Sequence, residues 1–363
     1  MMLTKADDYP IHQTPEPIAY SGSNRNFYDR YFFNGYTPDG GLFFAAALGV
    51  YPQLNIMDAS FCVVEASRQY NVHGSKILHM ERLDTQVGPI EIEVIEPLKV
   101  LRIACSDAAN GIIADLTFTA RSVPIEEPRF MRRVGSQTMM DYTRLTQNGS
   151  WSGTVEHNGE LHRIDAHTLG TRDRSWGIRG VGMSDPQPNP YAISPQFFWL
   201  WAPLNVGETS VFYHLNADEH GRPWNTEGRM ADSESASTMD QADSRLVYRK
   251  GSRHAASAQI DFKKAGQDIH LALKPIQTFY MKGLGYGHPI WSHGLNHGEL
   301  ETGFEIYELD QMADADPTNF HIQALVDVTM SGARSGQGRG VLEQLVIGAY
   351  EPYGFTRLAD LAP

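Results

Sequence analysis

Two short segments of the chain concentrate residues that do acid–base work. The first is Gly170-Thr171-Arg172-Asp173-Arg174-Ser175-Trp176-Gly177-Ile178-Arg179, with three arginines, one aspartate and one tryptophan. A carboxylate among guanidiniums stays ionised, and a bidentate Arg–carboxylate pair is rigid. Such a cluster suits the task of orienting a substrate oxygen at the mouth of an apolar pocket. The same residues serve equally as a buried Asp–Arg pair that pins a bulged corner, with Trp176 stacked over an arginine.

The second segment runs from Gly283 to Glu301 and holds Tyr286, His288, Trp291, His293, His297, Glu299 and Glu301. Histidine changes charge near neutral pH and is the usual proton-transfer residue. A neighbouring tyrosine can donate a proton to a leaving oxygen. The spacing His288-x4-His293-x3-His297 fits neither the helical HExxH pattern nor a CxxC-type site, so no metal is assigned. The plainer reading is a Gly-rich loop whose histidines bond backbone groups.

Aromatic residues form a third signal. The stretch Asn26-Phe27-Tyr28-Asp29-Arg30-Tyr31-Phe32-Phe33-Asn34-Gly35-Tyr36 carries too many adjacent rings for all of them to face one core. Tyr142, Trp176, Trp199, Trp201 and Trp291 add rings with one polar handle each. With Tyr28, Tyr31 and Phe33, these are the candidate lining of a pocket for an aromatic, terpenoid or steroid-like ligand. Ordinary β-core packing is the alternative at each position.

Common cofactor signatures are missing. There is no GxGxxG opening a helix after a strand, no GxxxxGK[ST] and no G-x-S-x-G elbow. An enzyme reading therefore points to acid–base chemistry without a cofactor. The formal net charge of -13 disfavours a nucleic-acid partner and an anionic membrane surface. No apolar run is long enough for a membrane helix, and Met1 to Pro17 has no secretory pattern. Cys62 and Cys105 sit in apolar runs and read as buried free thiols, which places the protein in a reducing cytoplasm.

The elements that must position these groups are strands. Period-two alternation is clear in 90–95, 114–121, 258–263, 269–274 and 302–308. Phe197 to Trp201 and Val211 to Leu215 are apolar on both faces and read as central strands. The turn signals are Asn148-Gly149-Ser150, His157-Asn158-Gly159-Glu160 and the Pro-rich Asp185 to Pro190. The polar stretch Ala231 to Ser244 reads as an exposed loop, and Val341 to Tyr350 as a strand. With 33 glycines and 20 prolines, the chain suits an all-β fold of two barrel- or sandwich-like halves. The division is expected at residues 1–165 and 166–363.

The 170–179 segment, Gly285-Tyr286-Gly287-His288-Pro289 with Trp291 and His293, and Glu351-Pro352-Tyr353-Gly354-Phe355-Thr356-Arg357 together resemble the AttH-like, hydroxyneurosporene-synthase-like (carotenoid 1,2-hydratase-like) proteins. The strand Asp115 to Arg121 and Glu127-Pro128-Arg129 are similar to their first half. The resemblance implies two tandem lipocalin-like antiparallel β domains with apolar cavities, and chemistry without a redox cofactor. Carotenoid hydratases protonate an alkene and add water; related proteins cyclise or rearrange apolar substrates. The resulting expectation is a cofactor-independent lyase, a hydratase/dehydratase or a carbon–carbon lyase, acting on a hydrophobic aromatic or terpenoid alcohol. His288 or Tyr286 would be the acid, His293 or Asp173 the base, and Arg172 and Arg179 the stabilisers of charge on oxygen. A carrier of a hydrophobic small molecule and a metal-dependent hydrolase at His288, His293 and His297 are the rivals. Homo-oligomerisation is left open.

Overall fold

The computed structural model describes residues 3–20, 22–184, 187 and 195–363. Most of the expected Pro-rich loop, Asp185 to Pro190, lies outside them. Among the described residues there is no α-helix, only short 3-10 turns between antiparallel strands.

Thirteen strands come first: Phe27–Tyr36 (β1), Leu42–Tyr51 (β2), Ile56–Glu65 (β3), Arg68–Ile77 (β4), Gln86–Val87 (β5), Ile90–Glu96 (β6), Val100–Asp107 (β7), Ile112–Ala120 (β8), Ile125–Glu126 (β9), Phe130–Val134 (β10), Gln137–His157 (β11), Glu160–Ile164 (β12) and Leu169–Ile178 (β13). Ten follow: Phe197–Val206 (β14), Thr209–Ala217 (β15), Pro223–Ala231 (β16), Ala236–Thr238 (β17), Gln241–Tyr248 (β18), Ala255–Lys264 (β19), Gln267–Tyr280 (β20), Leu300–Glu308 (β21), Ile322–Gly332 (β22) and Gly336–Ile347 (β23). The first sheet runs β21-β4-β3-β2-β1-β13-β11-β8-β7-β6-β5, and the second β17-β16-β15-β14-β23-β22-β20-β19-β18. The first curls into a nearly closed barrel and the second into a half-barrel (the second barrel), as in two lipocalin-like domains. In the first, β5 comes up against β4 at Gly74, where a Cβ would stand 3.0 Å from Val87 Cγ1. In the second, Gly228 of β16 faces Phe262, and its carbonyl accepts the Met239 N–H at 2.8 Å.

The chain crosses between sheets three times, from β13 to β14, from β20 to β21 and from β21 to β22. β13, beyond residue 165, still pairs with β1 and β11 in the first sheet. Much later β21 returns to pair with β4 at the edge of that sheet. The Gly-rich loop before β21 is thereby stretched between the two barrels.

Three large buried cores result among the described residues, beside a small cluster of Ile125, Phe212 and Ala231. Trp151, Phe33, Phe44 and Phe118 fill the first barrel, and Phe198, Leu200, Leu271, Val326 and Leu342 belong to the second. The third lies between the barrels, where Tyr28, Phe32 and Tyr36 of β1 meet Trp199 and Trp201 of β14. Strand alternation sends successive side chains to opposite faces, so β1 and β14 each serve two cores at once. That accounts for the ring density of Phe27 to Tyr36.

Two sequence expectations are corrected. Asn148-Gly149-Ser150 is no turn: it lies inside β11, and Gly149 is there because a Cβ would sit 2.3 Å from the Phe118 ring. Ala231 to Ser244 is not one loop: β17 and the start of β18 occupy it, and their exposed edge position gives them loop-like composition. The turn at Asn158-Gly159, the strand in Val341 to Ile347 and the two buried free cysteines are as expected.

Trp151 is fully buried, its ring set edge-on to Phe44 and Phe118 at 5.1 and 5.3 Å and its Nε1–H donating to the Asn34 carbonyl at 2.9 Å. Truncation there leaves a large cavity and an unpaired carbonyl. Trp151→Ala is expected to cost about 3–5 kcal/mol in urea unfolding monitored by circular dichroism; a loss below about 1 kcal/mol would show that this core is not tightly packed.

Candidate active site

The inter-barrel layer is not closed along its whole length. A pocket of about 440 Å³ opens between β10–β11 of the first barrel and β14 and β23 of the second. Its lining is polar at Tyr142, Arg144, Arg179, Tyr286, His321 and Glu343, with Arg132 and Gln196, and apolar at Met139, Met140, Phe197, Leu345 and Ile347. Along one face of β11 it passes from Arg144 through Tyr142 to Met140, and along one face of β23 from Glu343 through Leu345 to Ile347, so the polar part of the wall grades into the apolar part along the strands.

The polar wall is built outward from buried charges. The Arg144 side chain is only 11% exposed and has Glu127 and Asp173 carboxylates at 3.8 and 3.9 Å. Its guanidinium also lies 5.0–6.0 Å from the ring centroids of Phe130, Tyr142, Trp199 and Trp201. Burial alone disfavours its charge, but the two carboxylates outweigh that and hold it firmly protonated. Burial pushes the Asp173 carboxyl up to about 6, with Arg144 pulling against it. Glu127 accepts from Thr146 Oγ1 at 2.6 Å and Trp201 Nε1 at 3.0 Å.

Glu343 sits on the second barrel. Its Oε1 accepts from Trp199 Nε1 at 2.8 Å and His321 Nε2 at 2.9 Å, and its Oε2 from Gln323 Nε2 at 2.8 Å. Burial acts to raise this carboxyl, but the bonds from His321 and Gln323 more than offset it and keep it below its ordinary value. The Glu343 carboxylate thus fixes the His321 tautomer with the proton on Nε2. The His321 Nδ1 has no hydrogen-bond partner among the described residues.

Tyr286 faces this pair. Its ring stands edge-on to His321 at 4.6 Å and to His293 at 4.5 Å. Arg30 and Arg179 lie 4.8 and 5.5 Å from its centroid. His293 is engaged at both ring nitrogens: Nε2 meets the Leu284 carbonyl at 2.9 Å and Arg30 Nη1, and Nδ1 meets Arg30 Nη1 at 2.8 Å and Arg179 Nη2 at 3.3 Å. Burial, then the Arg30 and Arg179 charges, hold His293 well below its usual value, so it stays neutral.

A model of a family of unknown function, DUF8625, matches residues 3–356. The chain belongs to that family. No curated protein matches it in sequence. Among solved structures, a protein of Nitrosomonas europaea provisionally described as AttH is similar at 12% identity and a TM-score of 0.53, over 93% of this chain and 98% of that one. Kievitone hydratase from Nectria haematococca (12%, 0.48, 91% and 92%) and CghA (10%, 0.49, 89% and 88%) are further matches. The likeness to the AttH-type protein is one of fold, and it agrees with the two-domain lipocalin-like architecture.

In this DUF8625 chain the expected site residues divide into three groups. Tyr142, Arg179, Trp199 and Tyr286 line the pocket, and Tyr28, Asp173, Trp201 and His293 stand directly behind it. Arg172 and Trp176 point to the opposite face of β13, with Tyr31, in a separate groove of about 390 Å³; Phe33 is inside the first barrel. Strand alternation is the reason: neighbours of Asp173 cannot share its face. His288 and Trp291 belong to a third place, with His288 Nε2 on Glu305 at 2.6 Å and Trp291 parallel to His73 at 5.4 Å. His288, His293 and His297 bond to Glu305, Leu284 and Ile290 respectively, so they do not converge on one point.

Sequence reasoning missed Arg144, Glu127, His321 and Glu343. The available signal was a lone charged or imidazole side chain in an otherwise apolar strand, as in Phe320-His321-Ile322 and Val341-Leu342-Glu343.

The Asp173 environment has a pH signature. Its folded-state value, about 6, lies above the ordinary 3.8, so the folded state keeps a proton that the unfolded chain releases. Stability from this group therefore falls as pH rises from about 4 to about 6 and stays lower above. Unfolding free energies compared between wild type and Asp173→Asn across that window are expected to diverge by up to about 3 kcal/mol; parallel curves would show that Asp173 ionises normally.

Proposed function

We propose that the inter-barrel pocket is the active site of a hydro-lyase that adds water to, or removes it from, a hydrophobic aromatic or terpenoid compound. The observation that carries this reading is a histidine oriented by a buried carboxylate and set against a tyrosine, in a pocket whose lining grades from charged to apolar. A volume of about 440 Å³ suits a ring-bearing small molecule.

In the dehydration direction, Tyr286 O–H protonates the substrate hydroxyl while His321 Nδ1 takes the proton from the adjacent carbon. The C–O and C–H bonds break, the C=C bond forms and water departs. The proton on His321 then returns to the Tyr286 oxygen, directly or through that water, and no redox partner is needed. Arg30 and Arg179, beside the Tyr286 ring, stabilise negative charge left on the phenol oxygen. Glu343 stabilises the imidazolium that His321 becomes. Hydration runs the same steps backwards. The AttH-like resemblance supports the reaction class, and Tyr286 and Arg179 keep the roles their sequence context suggested. Of the two expected acids, His288 and Tyr286, it is Tyr286 that lines the pocket and acts; in place of the expected bases His293 and Asp173 stands His321, because Arg30 and Leu284 engage His293 and Asp173 lies behind the pocket beside Arg144.

The test is to incubate the protein with a panel of aromatic and terpenoid alcohols and the matching alkenes, following gain or loss of one water by mass spectrometry. Turnover of at least one pair is expected. Tyr286→Phe and His321→Gln should each then lower the rate about 10²–10⁴-fold. Tight binding without conversion across the panel would favour the carrier reading, and full activity in both variants would remove these residues from the chemistry.

A further inference from the structure

The β11–β12 hairpin carries a histidine pair remote from the inter-barrel pocket. Its Asn158-Gly159 turn has both residues in the left-handed region, with φ of 51° and 76°. The turn sets Val155 opposite His162 and His157 opposite Glu160. His157 and His162 are therefore diagonal neighbours on one face of the hairpin. Asn158 Nδ2 donates to Tyr70 Oη at 2.8 Å and holds the hairpin on β4. Glu65, at the end of β3, meets the pair from across the barrel mouth: Oε2 is 2.6 Å from His157 Nε2, and Oε1 is 3.5 Å from His162 Nε2.

These three side chains offer ligand atoms that all lie within 4.8 Å of one another. Two features set them apart from an ordinary hydrogen-bonded cluster. His162 Nε2 is buried with no hydrogen-bond partner, and so is Nδ1 of the fully buried His157. Neither ring has its tautomer dictated by a second partner, so each can turn its Nε2 lone pair inward with the proton on Nδ1. The 3.5 Å span from His162 to Glu65 also fits two ligands on one tetrahedral zinc, whose roughly 2.0–2.1 Å bonds put neighbouring donors about 3.4 Å apart. A cleft of about 730 Å³ adjoins the cluster, bordered by Glu65, His162, Asp165 and His167, and gives an ion and a water ligand a way in.

A second group, His73, His288 and Glu305, looks alike in composition but not in chemistry. His288 Nδ1 accepts the Ile290 and Trp291 N–H groups at 3.0 and 2.8 Å, so its proton must sit on Nε2, toward Glu305. A nitrogen that keeps its proton has no lone pair for a metal, so His288 Nε2 cannot ligate, whereas neither nitrogen of His157 is fixed in that way. That trio is a hydrogen-bonded clamp.

The geometry points to a site for a zinc-type divalent cation formed by Glu65, His157 and His162, with its fourth position open to water in the cleft. Binding swings the His157 proton from Nε2 to Nδ1 and replaces the His157–Glu65 hydrogen bond by two metal–ligand bonds.

The experiment uses the full chain without a purification tag, stripped with chelator and titrated with Co²⁺ and then Zn²⁺. One Co²⁺ per chain is expected, with visible ligand-field absorption that Zn²⁺ abolishes. Zn²⁺ should raise the thermal midpoint, more at about pH 7.5 than at about pH 5.5, because protonated imidazoles do not ligate. Glu65→Gln and His162→Gln should lose the Co²⁺ spectrum, while His167→Ala, at the exposed rim of the same cleft, should keep it. His162 is partly exposed on a hairpin, so its variant folds, and its circular dichroism checks this. Wild-type protein without a Co²⁺ spectrum, or Glu65→Gln and His162→Gln spectra equal to wild type, would overturn the proposal.

Discussion

Arg144 is the residue around which the two barrels are arranged. A guanidinium withdrawn from water is costly unless carboxylates and other partners replace the solvent. Here Glu127 and Asp173 come from the first barrel, while Trp199 and Trp201 come from the second. The first barrel supplies the near counter-charges, and the second closes over the cation with ring faces and the further carboxylate of Glu343. Trp201 is tied to Glu127 through its indole N–H, and Trp199 to Glu343, so the rings that flank the cation are themselves fixed by carboxylates. The packing of the barrels and the electrostatics of the pocket are thus one constraint. A shift of one barrel relative to the other would uncover the Arg144 charge.

That constraint preorganises the polar wall before any ligand arrives. A chain of side chains, Asn34 to Gln323 to Glu343 to His321, crosses from the first barrel into the second, each joined to the next by a hydrogen bond. Buried hydrogen-bonded chains hold their members in place, and a base held in this way needs little reorganisation when charge develops on it. Tyr286 is positioned differently. It comes from the loop stretched between β20 and β21, and it is held by its neighbours, His293 and His321 edge-on and Arg30 at its face. One partner in the proposed chemistry is therefore built into a strand-side network and the other into a loop anchored at both ends.

The fold was legible in the sequence because its strands follow period two and its buried strands are apolar on both faces. The density of rings in Phe27 to Tyr36 was the most informative feature, since alternation divides it between the barrel interior and the inter-barrel layer. The site was only partly legible, because it is assembled from β11, the end of β13, β14, a loop, β22's approach and β23. Proximity in sequence misled in two places. Arg172 and Asp173 are neighbours in the chain but occupy opposite faces of β13, and Tyr286 and His288 are two residues apart in a loop that turns between them. The glycine at 149 misled for a related reason: it permits close approach of a ring inside a strand, which composition cannot tell from a turn. His321 and Glu343 gave no motif, because their pairing exists only across the β22–β23 hairpin end, where His321 precedes Ile322 and Glu343 pairs with Gln323.

The asymmetry of the pocket constrains any substrate more than its volume does. The groups placed in the proposed chemistry lie toward the Arg144 and Glu343 positions of β11 and β23, and Met140, Leu345 and Ile347 continue the same strand faces as thioether and aliphatic surface. A ligand with one oxygen-bearing end must place that end toward Tyr286 and His321, since burying it against Met139, Met140 or Leu345 would leave its hydrogen bonds unmade. That apolar surface offers water no hydrogen bond, so a water that enters or leaves during reaction is held best near the acid and the base. Orientation of the substrate and placement of the water therefore follow from one feature, the gradation along β11 and β23 from a charged part organised by Arg144 to an apolar part.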